Sequence, residues 1–268
     1  MKKKIILVAG IVAVLLAVLI FSRPKLDEAD AFKMLETARA NYGRDNLGGA
    51  LENFRLLLKK YPSSKDAEES QRFIIYIYEK RQDYTGALNE YKKYLKKFRD
   101  TPFTAEFSYK TGFVLYKFLS KPKPARVALM RVIKEYPESE YSLKSKELLS
   151  EIFKATGKDE ETIKLAETYG VSDEQKNSIG LNISNMEAFW RLGKHDEAYK
   201  FAKQIPKKSP QIKESTIYWQ LLVKFEPSKE NYSGLSNAYQ RLGFPEQAKI
   251  YKTKAETFGK TVKKLKTK

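Results

Sequence analysis

The 268-residue sequence contains no cysteine and only one histidine, His195. Transition-metal sites are built mainly from thiolate and imidazole ligands, so we expect no metal site. Catalytic pairs are scarce as well. Ser120 and Lys123 match the Ser-x-x-Lys pattern of acyl enzymes, but Pro122 between them prevents the helical turn that the pair requires. We therefore expect a protein that is not an enzyme and has no metal and no cofactor.

Acidic residues are few relative to basic ones. The chain has 51 Lys and Arg against 33 Asp and Glu, a formal charge of +18, which suits acidic proteins, anionic lipid or nucleic acid as partners. Nucleic-acid binding needs basic residues gathered on one face beside exposed aromatic rings. The lysines are instead spread along the whole chain, so we expect no nucleic-acid partner. Residues 261–268 are the exception, a basic tail that is either solvated or in contact with an acidic partner or lipid surface.

Long apolar runs occur in one place. Three lysines at positions 2–4 precede an uninterrupted apolar stretch over residues 5–21, which as a helix spans about 25 Å. No small-x-small cleavage site follows it, so residues 1–25 are predicted to be an uncleaved signal anchor, with a cleaved signal peptide as the alternative. Without cysteine, a lipid-modified N-terminus is not expected. The residues expected to form the membrane anchor include Ile5, Leu7, Val12, Leu16, Leu19 and Phe21.

The lysines before this stretch determine the predicted location. Basic residues flanking a membrane helix stay in the cytoplasm, so the N-terminus is expected inside and the body of the protein outside. The predicted location is therefore the cytoplasmic (inner) membrane, crossed once, with the remaining domain on the periplasmic side.

One apolar pattern of helical spacing recurs along the rest of the chain. It begins at Ala50, Ala87 and Ala125, and fainter copies begin at Thr162 and Ala198. The starting points are 37, 38, 37 and 36 residues apart. A constant period of this size, with one amphipathic helix in each period, is typical of stacked helical repeats.

We call each copy of this apolar pattern a stripe. Between the helices that carry the stripes, partner helices are predicted over residues 66–81, 103–119 and 141–156. The run 73–78 is rich in β-branched and aromatic residues and resembles a buried strand locally, but its position in the repeat predicts a helix. A longer interval after the fifth stripe leaves room for an extra helix near 212–225.

These features resemble the tetratricopeptide repeat (TPR) family. The resemblance is carried by Ala50…Phe54…Pro62, Ala87…Tyr91, Ala125…Pro137, Arg191-Leu192-Gly193…Ala198 and Asn237…Gly243…Ala248…Ala255. It implies an all-α fold, a right-handed superhelical solenoid of antiparallel helix pairs. We expect about six units over residues 26–260, preceded by the one transmembrane helix predicted above. The Tyr-Pro-x-Ser helix endings are similar to those of exported members, such as the outer-membrane assembly lipoprotein and the Tol-Pal-associated protein. The anchored N-terminus is more similar to translocon-associated members.

The resemblance also implies a function. In this family the first helices of the pairs line a groove that binds an extended peptide or a helix, here preferably an acidic one. We expect a membrane-anchored scaffold for envelope protein assembly or secretion. A structural accessory subunit of a membrane complex and a cell-wall or division factor stay open, as does the oligomeric state. The groove residues that the register implies are Arg72, Tyr76, Lys80, Tyr109 and Lys117.

Overall fold

The computed structural model describes residues 28–169 and 178–258, and within these ranges the protein consists of helices and connecting turns, without strands. A 3₁₀ turn at Pro210–Ile212 separates the tenth helix from the eleventh. The helices are α1 (28–43), α2 (Leu47–Lys60), α3 (Ala67–Lys80), α4 (Tyr84–Lys97), α5 (Thr104–Lys117), α6 (Pro122–Glu135), α7 (Glu140–Ala155), α8 (Asp159–Tyr169), α9 (Ile179–Arg191), α10 (His195–Ala202), α11 (Thr216–Phe225), α12 (Lys229–Arg241) and α13 (Pro245–Thr257).

Short polar turns join these helices into hairpins. The side chain of Asn46 accepts a hydrogen bond from the Gly49 amide at the start of α2, and Asp83 does the same for Gly86 at the start of α4. Such caps satisfy amides that have no partner inside the helix. Gly193 between α9 and α10 has a φ of +74°, a left-handed conformation that a side chain would disfavour.

The chain divides into two compact units, residues 1–125 and 126–268. In the first unit, α2 packs on α3, α3 on α4 and α4 on α5. The predicted stripe of α2 is buried at Ala50, Phe54 and Leu57. The Phe54 ring stacks on Phe73 of α3 with centroids 4.9 Å apart. The run 73–78 is therefore helical, as its repeat position predicts, and it supplies the partner face for the α2 stripe.

The second unit has its own core, centred on α9, α10, α11 and α12. Trp219 of α11 is buried, and its indole N–H donates to the carbonyl of Ile212, 3.2 Å away. The ring lies against Gly234 of α12, where an added Cβ would come within 2.3 Å of it. Helix α11 is therefore fixed on one side by the 3₁₀ turn and on the other by a helix that carries glycine at the contact.

None of the helices in the described ranges is long and apolar enough to cross a membrane. The predicted anchor, residues 1–25, and the predicted basic tail, residues 261–268, lie outside the described residues.

Candidate functional site

The groove residues implied by the repeat register lie on the first helices α3 and α5 of the first unit. Arg72 and Tyr76 of α3 are half-buried, and Lys80, at the end of that helix, is exposed. Their spacing of four residues places all three on one face of α3. On α5, Tyr109 is half-buried and Lys117 is exposed.

Arg72 connects α3 with the start of α5. Its Nε lies 3.0 Å from Oε1 of Glu68, one helical turn earlier, and its guanidinium lies 4.0 Å from the centre of the Phe103 ring. The Arg72 side chain is only 20% exposed, so the planar cation is held between a carboxylate and an aromatic face, an arrangement that suits arginine.

Lys110 of α5 is the main ionic contact between the two first helices. Its Nζ lies 3.0 Å from Oε1 of Glu79 on α3 and 2.8 Å from Oε1 of Glu106 on α5. The ammonium also lies 5.7 Å from the centre of the Tyr76 ring. Burial alone would lower the pKa of Lys110, but Glu106 and Glu79 more than offset it, so its pKa is raised and the charge is retained.

Two buried tyrosines of the α4 stripe donate hydrogen bonds to the α3 carboxylates Glu68 and Glu79. The Tyr91 hydroxyl donates to Oε1 of Glu79 at 2.5 Å, and the Tyr94 hydroxyl donates to Glu68. Burial raises the pKa of both hydroxyls, and their carboxylate partners raise it further. The rings therefore pack as stripe residues while their hydroxyls fix the acids of the α3 surface.

The other predicted residues have different surroundings. The Lys80 ammonium is 2.6 Å from Oδ1 of Asp45, in the turn between α1 and α2, and 5.5 Å from the Tyr42 ring centre. Tyr109 packs on Phe113 of its own helix, with ring centres 5.9 Å apart, and the Lys117 ammonium lies over the Tyr116 ring. The structure thus brings Arg72 and Tyr76 together with Lys110 and places Lys80 beside the α1–α2 turn.

Sequence reasoning missed Lys110, Glu68 and Glu79. The local signals were the four-residue spacings of Glu68 with Arg72 and of Glu106 with Lys110, which are typical of helix-surface pairs. The contact of Lys110 with Glu79 joins residues 31 apart, and no local pattern identifies it. We refer to the residues Glu68, Arg72, Tyr76, Glu79, Glu106, Tyr109 and Lys110 as the α3–α5 surface.

The ion pairs of this region contain more acids than bases. Arg39 of α1 continues the pattern, because its Nε donates to Glu69 of α3 at 2.8 Å and its guanidinium pairs with Glu36. Each of the four cations is paired with a carboxylate, and there are six acids to four bases. The cations are Arg39, Arg72, Lys80 and Lys110, and the acids are Glu36, Asp45, Glu68, Glu69, Glu79 and Glu106.

The residues considered for chemistry are placed elsewhere. His195 is the first residue of α10, stacks on Trp190 and lies 2.9 Å from the Lys224 ammonium through Nδ1. Ser120 lies before the first residue of α6 and has a φ of +50°. Across residues 28–169 and 178–258, no three His, Asp or Glu side chains come together as metal ligands.

Residues 27–170, more than half of the sequence, match the family described as YfiO, outer membrane lipoprotein. The chain belongs to the YfiO family. The resemblance to TPR proteins of the exported envelope type is thereby confirmed. The search of curated proteins found no match.

Solved structures similar to this YfiO-family chain include several helical-repeat proteins. PilF of Pseudomonas aeruginosa is 15% identical, with 85% of this chain and 99% of that chain covered and a TM-score of 0.55. PilW, a type IV pilus biogenesis factor, is 13% identical over 85% and 93% with a TM-score of 0.45. YrrB, a TPR protein, is 16% identical over 65% and 84% with a TM-score of 0.47. The likeness to PilF supports the fold.

The family match corrects the predicted location. It names the outer membrane, so the prediction of a single-pass protein of the inner membrane is wrong. The prediction relied on the lysines and the apolar stretch of residues 1–25. Export signals and membrane anchors share this pattern, because both enter the same export route, and it does not specify the membrane at which a protein ends.

Proposed function

We propose that this YfiO-family protein is a non-catalytic scaffold that binds a protein or peptide partner in the cell envelope through the α3–α5 surface. The observation that carries the proposal is the fixed arrangement of Tyr76, Arg72 and Lys110 on two adjacent first helices. Lys110 is paired with Glu79 across the two helices and Arg72 with Glu68 within α3, and hydroxyls from α4 hold both carboxylates. Tyr76, Arg72 and Lys110 stay partly exposed. A surface ordered before binding loses little side-chain entropy when a ligand arrives.

The chemistry of the surface indicates the class of ligand. Arg72, Lys80 and Lys110 already have carboxylate partners, so an acidic ligand would have to displace one of these. The acidic preference expected from the net charge is therefore not favoured. A ligand with apolar or aromatic side chains beside Tyr76 and Tyr109, and with neutral or basic groups toward Glu68 and Glu106, fits better. A role in envelope protein assembly or secretion, and attachment to a membrane, belong to the same proposal.

Photo-crosslinking in cells tests it. A photoreactive amino acid placed at Tyr109 of the full chain should give a discrete adduct, and the adduct should disappear when Lys110→Met is added. The same probe at Lys92, an exposed residue of α4, is the matched control and should not give this adduct. Adducts of equal yield from both positions, or an adduct insensitive to Lys110→Met, would contradict the proposed surface.

A further inference from the structure

The second helices of the first unit have a charge distribution unlike that of the α3–α5 surface. Helix α2 ends in Lys59 and Lys60, and α4 ends in Lys96 and Lys97. Lys65 and Arg99 follow in the adjoining turns, and all six side chains are exposed. We call these six residues the basic edge.

The fold brings the two helix ends together. The Lys97 ammonium donates to the carbonyl oxygen of Pro62, two residues beyond the end of α2, at 2.6 Å. The neighbouring acids are Asp66, which is buried, Asp100, which is exposed, and Glu28 of α1, whose carboxylate accepts a hydrogen bond from the Lys65 amide at 3.3 Å. Across the described ranges no carboxylate forms an ion pair with any of four members of the edge, Lys59, Lys60, Lys96 and Arg99. The basic edge therefore has a local excess of positive charge, whereas the cations of the α3–α5 surface are neutralised.

Helix stability alone does not account for this charge. Lysine near a helix C-terminus does interact favourably with the helix dipole. However, α6, which has the same place in the next repeat, ends in Lys134 and Glu135, and Glu138 and Glu140 follow it. The repeat thus forms its second helix without a basic edge at that position.

We propose that the basic edge contacts a membrane surface that contains anionic phospholipid. Five of its six cations are lysines, which are compact charges on flexible stems and suit a diffuse layer of headgroups better than a single phosphate held by two arginine bonds. Two partly exposed aromatic rings, Tyr61 and Phe98, directly follow the lysine pairs, and aromatic rings are favoured at the headgroup level. The family description also associates its members with a membrane.

The experiment uses the absence of cysteine, which makes one introduced cysteine a unique labelling site. The full chain with Ser63→Cys, an exposed position between Lys60 and Lys65 of the basic edge, is labelled with a fluorophore and reconstituted in vesicles that contain a headgroup-attached quencher. Vesicles of phosphatidylcholine alone are compared with vesicles that also contain phosphatidylglycerol. We expect strong quenching only with phosphatidylglycerol, lost at high salt, since exposed charges are screened. Quenching that is equal in both vesicles would overturn the proposal.

A charge-matched pair of variants assigns the effect to the edge. In one, Lys59, Lys60, Lys96 and Lys97 are changed to Gln. In the other, four exposed lysines of the second unit are changed to Gln: Lys208, Lys213, Lys249 and Lys252. The first variant should weaken the phosphatidylglycerol-dependent quenching more than about tenfold, and the second less than about twofold. Equal losses would mean that total charge is responsible and would overturn the proposal. An adduct of the edge with an acidic protein, without lipid-dependent quenching, would do the same. Thermal melting of both variants controls for folding.

Discussion

The hydroxyl of Tyr91 donates a hydrogen bond of 2.5 Å to Oε1 of Glu79, and the two residues lie on different helices. The Tyr91 ring is buried in the apolar stripe of α4, whereas Glu79 lies on the partly exposed face of α3 and also binds Lys110 of α5. One side chain thus fills the core and also orients a carboxylate of the α3–α5 surface.

We expect Tyr91→Phe to lower the free energy of unfolding by about 1–2 kcal/mol, because it keeps the ring and removes a bond to a charged acceptor. Urea denaturation followed by circular dichroism measures this loss. Tyr61→Phe is the control, since the Tyr61 ring is partly exposed and its hydroxyl has no partner among the described residues. A Tyr91→Phe variant as stable as Tyr61→Phe would show that the Glu79 bond contributes nothing.

This relationship shows what the sequence could and could not predict. The stripe predicts a buried ring at position 91, because its spacing reports the helix face directed at the core. It says nothing about the hydroxyl, whose partner depends on how α3 and α4 pack. Lys110 was missed for the same reason, since its partner Glu79 is on another helix. Arg72 and Tyr76 could be placed on one face of α3 because the repeat register fixes that face; their role as groove residues stays a prediction.

The contact between Lys110 and Glu79 should be a measurable interaction, although its partners are both partly exposed. We expect a double-mutant cycle with Lys110→Ala and Glu79→Ala to give a coupling free energy of about 1 kcal/mol, the upper end for such pairs. The same cycle on Lys144 and Glu140, an exposed pair within α7, should give a smaller coupling, because solvent screens both charges. A coupling at Lys110 no larger than this would contradict a fixed link between α3 and α5.

Gly234 should resist substitution although it lies inside a helix. A Cβ at this position would approach the Trp219 ring to 2.3 Å, and the ring is held by its bond to Ile212. We expect Gly234→Ala to lower the free energy of unfolding by about 1–3 kcal/mol through overpacking.

Gly48→Ala is the matched control for the Gly234→Ala prediction. Gly48 also lies in a helix, α2, but the nearest atom to its added Cβ is 3.9 Å away. There the change should be neutral or should stabilise by up to about 1 kcal/mol, because alanine favours the helix. If Trp219 is as fixed as the structure shows, thermal melting should give a lower melting temperature for Gly234→Ala and an equal or higher one for Gly48→Ala. A stabilised Gly234→Ala variant would mean that the ring moves aside.

Stability should decrease at alkaline pH through Tyr218. Burial raises the pKa of this tyrosine from its usual value near 10 to about 12, so the folded state retains the hydroxyl proton at pH values where the unfolded chain has lost it. The contribution is complete below the unfolded pKa and is lost as the pH rises from about 10 through 12. Urea denaturation at pH 8 and pH 11 should show this decrease, part of which also comes from other groups that titrate there. In Tyr218→Phe the decrease should be smaller, because Phe cannot ionise. An unchanged difference between the two pH values would show that burial of Tyr218 does not affect stability in this range.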